Sequence, residues 1–74
     1  MARLIRALNG AEPVDGFGAA TGAASTLPAG TEFTVTIAKL RRPSDNIEEF
    51  WCELKAGDQL YRVRVKALEA ALSQ

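Results

Sequence analysis

Residues 49–66 constrain the fold most, because two runs of residues match each other as paired strands around a tight turn. Gly57 and Asp58 stand at the centre of the segment, and glycine supplies the positive φ that a type II′ turn needs at its first central position. Counting outward from this turn places apolar residues opposite apolar residues. These pairs are Leu54 with Tyr61, Cys52 with Val63, and Phe50 with Val65. The sequence therefore predicts a β-hairpin with one face in the core.

The other face of the hairpin carries complementary polar pairs. They are Glu53 with Arg62, Trp51 with Arg64, and Glu49 with Lys66. Two of these pairs join opposite charges and one places a cation beside an aromatic ring, and both kinds are favourable across neighbouring strands. A slip of one residue would turn the charged set towards the core, so the pattern specifies its own register.

Strands are also predicted on the N-terminal side of the hairpin. Phe33, Val35 and Ile37 alternate with small or polar residues, which is typical of a strand with one apolar face. Residues 3–8 are ambiguous between a helix and a strand, and we interpret them as a short strand. Residues 66–73 are good helix formers, and we expect a helix there that docks on the sheet with Leu68 and Leu72 facing inward.

Residues 9–31 are rich in Gly, Ala, Ser and Thr and show no period. They predict one long loop, either folded back on the domain or partly disordered. Phe17 is the aromatic residue of this segment. We expect it to anchor the loop by packing into the core, and a contact with a ligand is the alternative.

Composition bounds the function. The chain has 74 residues, no histidine, one cysteine, and nine basic against nine acidic residues. A chain of this length is predicted to form one domain over residues 1–74. No cofactor and no metal site are predicted, since histidine, the commonest general base and metal ligand, is missing. A single cysteine and the absence of a long apolar run predict a cytoplasmic protein that does not enter membranes. Zero net charge leaves self-association open.

The polar hairpin face is the candidate binding site. It is predicted to carry Trp51 together with Glu53, Arg62 and Arg64, and Thr36 continues it on the neighbouring strand. Tryptophan on a polar face is typical of binding surfaces. The alternative is that the loop 9–31 or the curl of a barrel covers Trp51. On the apolar face, Cys52 is expected to be an inert packed thiol.

Basic residues suggest a second interpretation. Arg62, Arg64 and Lys66 form one group, and Lys39, Arg41 and Arg42 form another. With Trp51 they would suit single-stranded nucleic acid, through stacking on the ring and contacts to phosphate. The predicted cross-strand pairing with Glu53 and Glu49 favours solvated ion pairs instead.

The order of elements resembles the Src-homology-3-like small barrels. An initial strand, a long loop, a strand within residues 27–40, a second loop, a tight hairpin and a terminal helical turn follow one another. The resemblance implies an all-β barrel with a long Gly/Ala-rich loop and a short C-terminal helix. Members of that architecture bind peptides, proteins or nucleic acids, so it implies no single function.

Two short segments are similar to the plasmid-borne type II dihydrofolate reductases, which are homotetramers of small barrels. Gln59-Leu60-Tyr61 is similar to a Gln-Ile-Tyr segment that lines the pore of that family, and Phe50-Trp51-Cys52 to an aromatic pair followed by cysteine. Lys39 could be proposed for the pore lysine of that family. Here, however, Gln59 directly follows the hairpin turn. The resemblance implies a tetrameric enzyme as a third alternative.

These observations favour a non-enzymatic module that docks on a larger protein complex through the polar hairpin face. Trp51 would be the anchor of this site, and the arginines would orient the partner. Nucleic-acid binding and the reductase-like enzyme are the alternatives. A homo-oligomer is compatible with all three.

Overall fold

The computed structural model describes residues 2–40 and 50–73 as six antiparallel strands and one short helix. The strands are β1 (Ala2–Arg3), β2 (Leu8–Val14), β3 (Ser25–Leu27), β4 (Glu32–Leu40), β5 (Trp51–Ala56) and β6 (Gln59–Arg64), followed by the helix α1 (Val65–Ala71). Their order in the sheet is β1-β4-β5-β6-β2-β3. The predicted all-β class with a C-terminal helix is confirmed. The sheet is not closed into the predicted barrel, because β1 and β3 end it as two short edge strands.

The predicted hairpin forms from β5 and β6. The register from Ala56–Gln59 out to Trp51–Arg64 is the predicted one at every pair. Gly57, the first central residue of the turn, has a φ of 62°, and Asp58, the second, does not have a positive φ. This combination is that of a type II′ turn. At the open end, the Val65 N–H donates to the Phe50 carbonyl at 3.0 Å. The next predicted pair joins Glu49 with Lys66. Strand β6 does not reach it, because Lys66 lies in α1, and Glu49 is outside the described residues.

Strand β4 does not keep the single apolar face that its alternation predicts. Phe33 is buried, but Val35 and Ile37 are both partly exposed. Val35 lies opposite Leu54, and Ile37 lies opposite Glu53. Two steps along β4 therefore match one step along β5, which is the signature of a β-bulge. Because the extra residue inverts the alternation, Ile37 lies on the same side of the sheet as Glu53.

Residues 9–31 are not one long loop, so that prediction is wrong. They include most of β2 and all of β3. The predicted strand over residues 3–8 is also wrong in extent, because β1 ends at Arg3 and β2 begins at Leu8. Gly10, with a φ of 77°, stands where the register of β2 with β3 shifts. Such a residue adds a step to the strand and so hides its two-residue period in the sequence.

The core lies between one face of the sheet and the helix. It consists of apolar side chains from all the strands except β1, together with Leu4 and two residues of α1. Leu68 is buried in it, as predicted. Leu72 is exposed, contrary to prediction, and Ala71 is buried instead. The helix ends at Ala71, whose carbonyl accepts hydrogen bonds of 2.9 Å from the N–H groups of Ile5 and Arg6.

Candidate functional site

The candidate site lies on the face of the sheet that points away from the core, called here the outer face. Its centre is Glu12, Arg62 and Glu53, which stand side by side on β2, β6 and β5. Trp51 and Arg64 form the next pair on the same face, towards the open end of the hairpin. The sequence therefore predicted correctly which hairpin residues share this face.

Trp51 is covered. Only 6% of its surface is exposed, so Trp51 is buried and is not an exposed anchor. Arg64 lies over the indole, with its Cζ atom 5.0 Å from the ring centroid. This is the geometry of a cation–π contact. Arg64 itself is exposed, so a partner that approaches this pair meets the guanidinium before the ring.

The Arg62 side chain is held by contacts within the protein. Its guanidinium forms an ion pair with Glu12 on β2 and donates a hydrogen bond of 3.2 Å to the Gly18 carbonyl. The side chains of this ion pair are only 15% and 24% exposed. Arg62 stands opposite Glu53 as predicted, but its ion pair is with Glu12. The sequence could not assign this partner, because β2 was not predicted.

Glu53 instead contacts the bulged strand. The Thr36 hydroxyl lies 3.1 Å from both the backbone carbonyl and a carboxylate oxygen of Glu53. The structure therefore brings together the five predicted site residues on neighbouring strands. Thr36 and Arg64 are exposed, Glu53 and Arg62 are half-buried, and Trp51 is buried.

Phe17, which lies in the loop between β2 and β3, is the most exposed aromatic residue of the described ranges. Its prediction as a core anchor is wrong, because 98% of its surface is exposed. The Asp15 carboxylate accepts hydrogen bonds from the N–H groups of Phe17 (2.8 Å) and Ala19 (3.0 Å). The Asp15 N–H in turn donates to the Ala19 carbonyl at 2.9 Å. Residues 15–19 are called the Phe17 loop below.

The Phe17 loop is fixed to the outer face as well as to itself. The hydrogen bond from Arg62 reaches the loop at Gly18. Beyond the loop, the Thr21 N–H donates to the Pro13 carbonyl at 2.9 Å, and Val14 forms an isolated bridge with Ala20. The sequence holds one signal for this turn, since aspartate followed by glycines favours side-chain-capped turns. That signal explains the turn but not the exposure of Phe17.

Cys52 has the predicted character of a packed thiol. It is buried in the core, and burial raises its pKa above the ordinary value. We expect a thiol-exchange reagent to modify the folded protein more than about tenfold more slowly than the urea-unfolded chain, because the reactive thiolate is both scarce and covered. Absorbance of the released thiol measures both rates. Equal rates would show that Cys52 is accessible in the folded protein.

The remaining predicted site features are dispersed. Lys66 lies on α1, while the side chain of Lys39 and residues Arg41 and Arg42 lie outside the described part of the chain. In residues 2–40 and 50–73, no group of three or more His, Cys, Asp or Glu side chains is placed to bind a metal ion. A shallow groove of about 420 Å³ lies where Glu32 to Thr34 approach Lys55 and Gly57. Over the same ranges, no helix is long and apolar enough to cross a bilayer.

The segment that is similar to the reductase pore serves the fold here. The Gln59 amide donates to the carbonyls of Val14 (3.0 Å) and Leu60 (2.8 Å), which ties the hairpin turn to β2. Tyr61 packs against the core. Comparison of the chain with family models, with curated proteins and with solved structures gives no match.

Proposed function

We propose that this chain is a non-enzymatic protein-binding module that docks on a larger protein through the Phe17 loop and the adjoining outer face. The observation that carries the proposal is the exposure of Phe17 on a loop fixed by its own hydrogen bonds. Exposed phenylalanine costs solubility, and aromatic anchors of this kind dominate binding energy at protein interfaces. Phe17 thus takes the anchor role that the sequence suggested for Trp51.

The structure of the loop reduces the cost of binding. An anchor on a mobile loop must be ordered when the partner binds, and that ordering subtracts from affinity. Asp15 caps the turn from within, and Arg62 holds it from the outer face. The backbone at Phe17 is therefore largely set before a partner arrives, which suits insertion of the ring into a preformed apolar pocket.

The charge around the loop favours a protein partner over nucleic acid. Residues 16–31 contain no charged side chain, and the one charged residue of the Phe17 loop is the anionic Asp15, so the loop itself supplies no cation to phosphate. Arg62, which the nucleic-acid interpretation needs, is occupied by Glu12 and Gly18. An aromatic anchor on a loop without a basic residue matches the composition of a protein interface core better than that of a nucleic-acid site.

The other predicted site residues take supporting roles in this proposal. Arg64, Glu53 and Thr36 form the polar rim beside the loop, where contacts orient a partner more than they add affinity. Trp51 holds Arg64 in place by lying beneath its guanidinium. The resemblance to Src-homology-3-like domains and a cytoplasmic location would suit such a module and remain predictions, although the long loop in the predicted order of elements contains most of β2 and all of β3.

Photo-crosslinking from position 17 tests the proposal. With p-benzoylphenylalanine at position 17, we expect covalent capture of one discrete protein in extract from source cells. The same reagent at Ile5 is the control, because Ile5 is also an exposed apolar residue but contacts the end of α1 instead. Capture of the same protein from both positions, or of none from position 17, would contradict the proposal.

The captured protein then provides a binding assay. Phe17→Ala should weaken binding to it by about tenfold or more, the loss expected for an interface hot spot. Ile5→Ala, which removes a similar apolar surface elsewhere, should leave the dissociation constant unchanged. Calorimetric titration of both variants measures the difference. An unchanged affinity for Phe17→Ala would remove Phe17 from the site.

A further inference from the structure

The outer edge of β4 is largely unpaired within the described residues. On one side, β4 pairs with β5 as far as Leu40. On the other side, β1 covers only Glu32 and Phe33. No other described segment hydrogen-bonds to the edge from residue 34 to residue 40. An edge of this length presents a row of backbone donors and acceptors that can template another strand.

The middle of this edge carries no charged side chain. Residues 34–38 are Thr, Val, Thr, Ile and Ala, and all five are exposed. Natural edge strands are commonly blunted by charged residues or proline, and neither occurs between Phe33 and Ala38. Two register shifts against β5, one on each side of Ile37, and Lys39 are the blunting features that the segment has. The exposed β-branched side chains favour strand pairing.

We propose that this edge pairs with the same edge of a second copy, which forms an antiparallel two-fold dimer. The longest overlap that leaves β1 in place in both copies pairs residues 34–40 with residues 34–40. This register puts Ile37 on the two-fold axis, opposite Ile37 of the second copy. Lys39 is the only charged residue in the overlap, and its register position is opposite Val35. No like charges meet, and the segment is complementary to itself, as a two-fold interface requires.

Zero net charge supports this occupant, because two copies experience no overall repulsion. Pairing of seven residues buries less than the roughly 1,200–2,000 Å² of a standard interface. The dimer is therefore weak, with a dissociation constant on the order of micromolar. The inference does not depend on the proposed function, since Phe17 lies outside the paired segment.

The test introduces a charge at Ile37, the residue on the two-fold axis. Sedimentation equilibrium should show that the wild-type chain dimerises as its concentration rises. Ile37→Lys and Ile37→Glu should each be monomeric, because each places two like charges directly opposite one another. An equimolar mixture of the two variants should dimerise again, because opposite charges then meet. Restoration in the mixture also shows that both variants are folded.

Ile5→Lys is the matched control. It introduces the same charge at an isoleucine of similar exposure, 48% against 40% for Ile37, and should dimerise like the wild type. Phe17→Ala should also dimerise, so failure of this inference is distinct from failure of the proposed function. A wild-type chain that stays monomeric up to about 1 mM, or dimers of Ile37→Lys alone, would overturn the inference. So would loss of association in Ile5→Lys, which would assign the interface to another face.

Discussion

Replacement of Trp51 by alanine is expected to lower the free energy of unfolding by about 3–5 kcal/mol, the usual cost of removing a buried large aromatic side chain. The indole is 94% covered, as its exposed fraction of 6% shows. Its removal also takes away the ring over which Arg64 lies. Small domains have little stability in reserve, so this change consumes much of it. Urea unfolding monitored by far-UV circular dichroism measures the loss. Tryptophan fluorescence cannot be used, because Trp51 is the only tryptophan in the chain and the variant lacks it.

Phe17→Ala is the control for this prediction, because it removes an aromatic ring that is fully exposed. Its free energy of unfolding should stay within about 0.5 kcal/mol of the wild-type value, as for other surface substitutions. Where Trp51→Ala does not fold, Trp51→Phe provides a smaller truncation that should lie between alanine and the wild type. Equal stabilities of Trp51→Ala and Phe17→Ala would mean that the indole is not packed.

The hairpin could be predicted from the sequence because its information is local. Each residue of β5 is matched by a nearby residue of β6, and the two faces alternate without interruption between Trp51 and Arg64. Gly57 marks the turn by its backbone freedom. Register, turn position and the assignment of faces all follow from these pairs.

Strands β2 and β3 could not be found by the same reasoning, because irregular residues mask their period. Leu8 and Ala11 are both buried in the core although they are three residues apart, since the strand irregularity at Gly10 lies between them. Val14, three residues further, is buried outside that cluster. Pro13 also argues against a strand in sequence. It is tolerated because its carbonyl, and hence its nitrogen, faces Thr21 and not β6.

The sequence predicts the exposure of the two aromatic residues the wrong way round. Trp51 was correctly placed on the outer face, but its burial depends on tertiary packing that local pairing does not show. Phe17 was expected in the core because phenylalanine is usually buried. In the structure it is exposed on a turn that the Asp15 carboxylate closes. Position on a face follows from local pairing, whereas cover over that face depends on distant segments.

Arg62→Met is the second large expected effect. It should lower the free energy of unfolding by about 2–4 kcal/mol, because it leaves the half-buried Glu12 carboxylate without its partner. It also removes the hydrogen bond to Gly18 that ties the Phe17 loop to the sheet. Amide hydrogen exchange at Ala19 and Thr21 should then become faster, since local opening of the loop costs less.

Arg3→Met is the matched control, because it makes the same substitution in an exposed ion pair. The side chains of Arg3 and Glu32 are 67% and 52% exposed, against 15% and 24% for Arg62 and Glu12. Exposed pairs contribute only about 0–1 kcal/mol, so this variant should remain close to the wild type. Equal losses in the two variants would show that Arg62 acts as an ordinary surface cation.

A double variant separates the charge of Arg62 from its role in holding the loop. Glu12→Leu combined with Arg62→Met removes both charges, and it should recover much of the stability that Arg62→Met alone loses. Hydrogen exchange in the Phe17 loop should nevertheless stay fast, because neither methionine nor leucine can donate to the Gly18 carbonyl. If the proposed function is correct, both variants that lack Arg62 should bind the captured partner more weakly than Arg3→Met does, since each must order the loop on binding. Recovered stability without recovered binding would therefore identify Arg62 as the residue that preorganises the anchor.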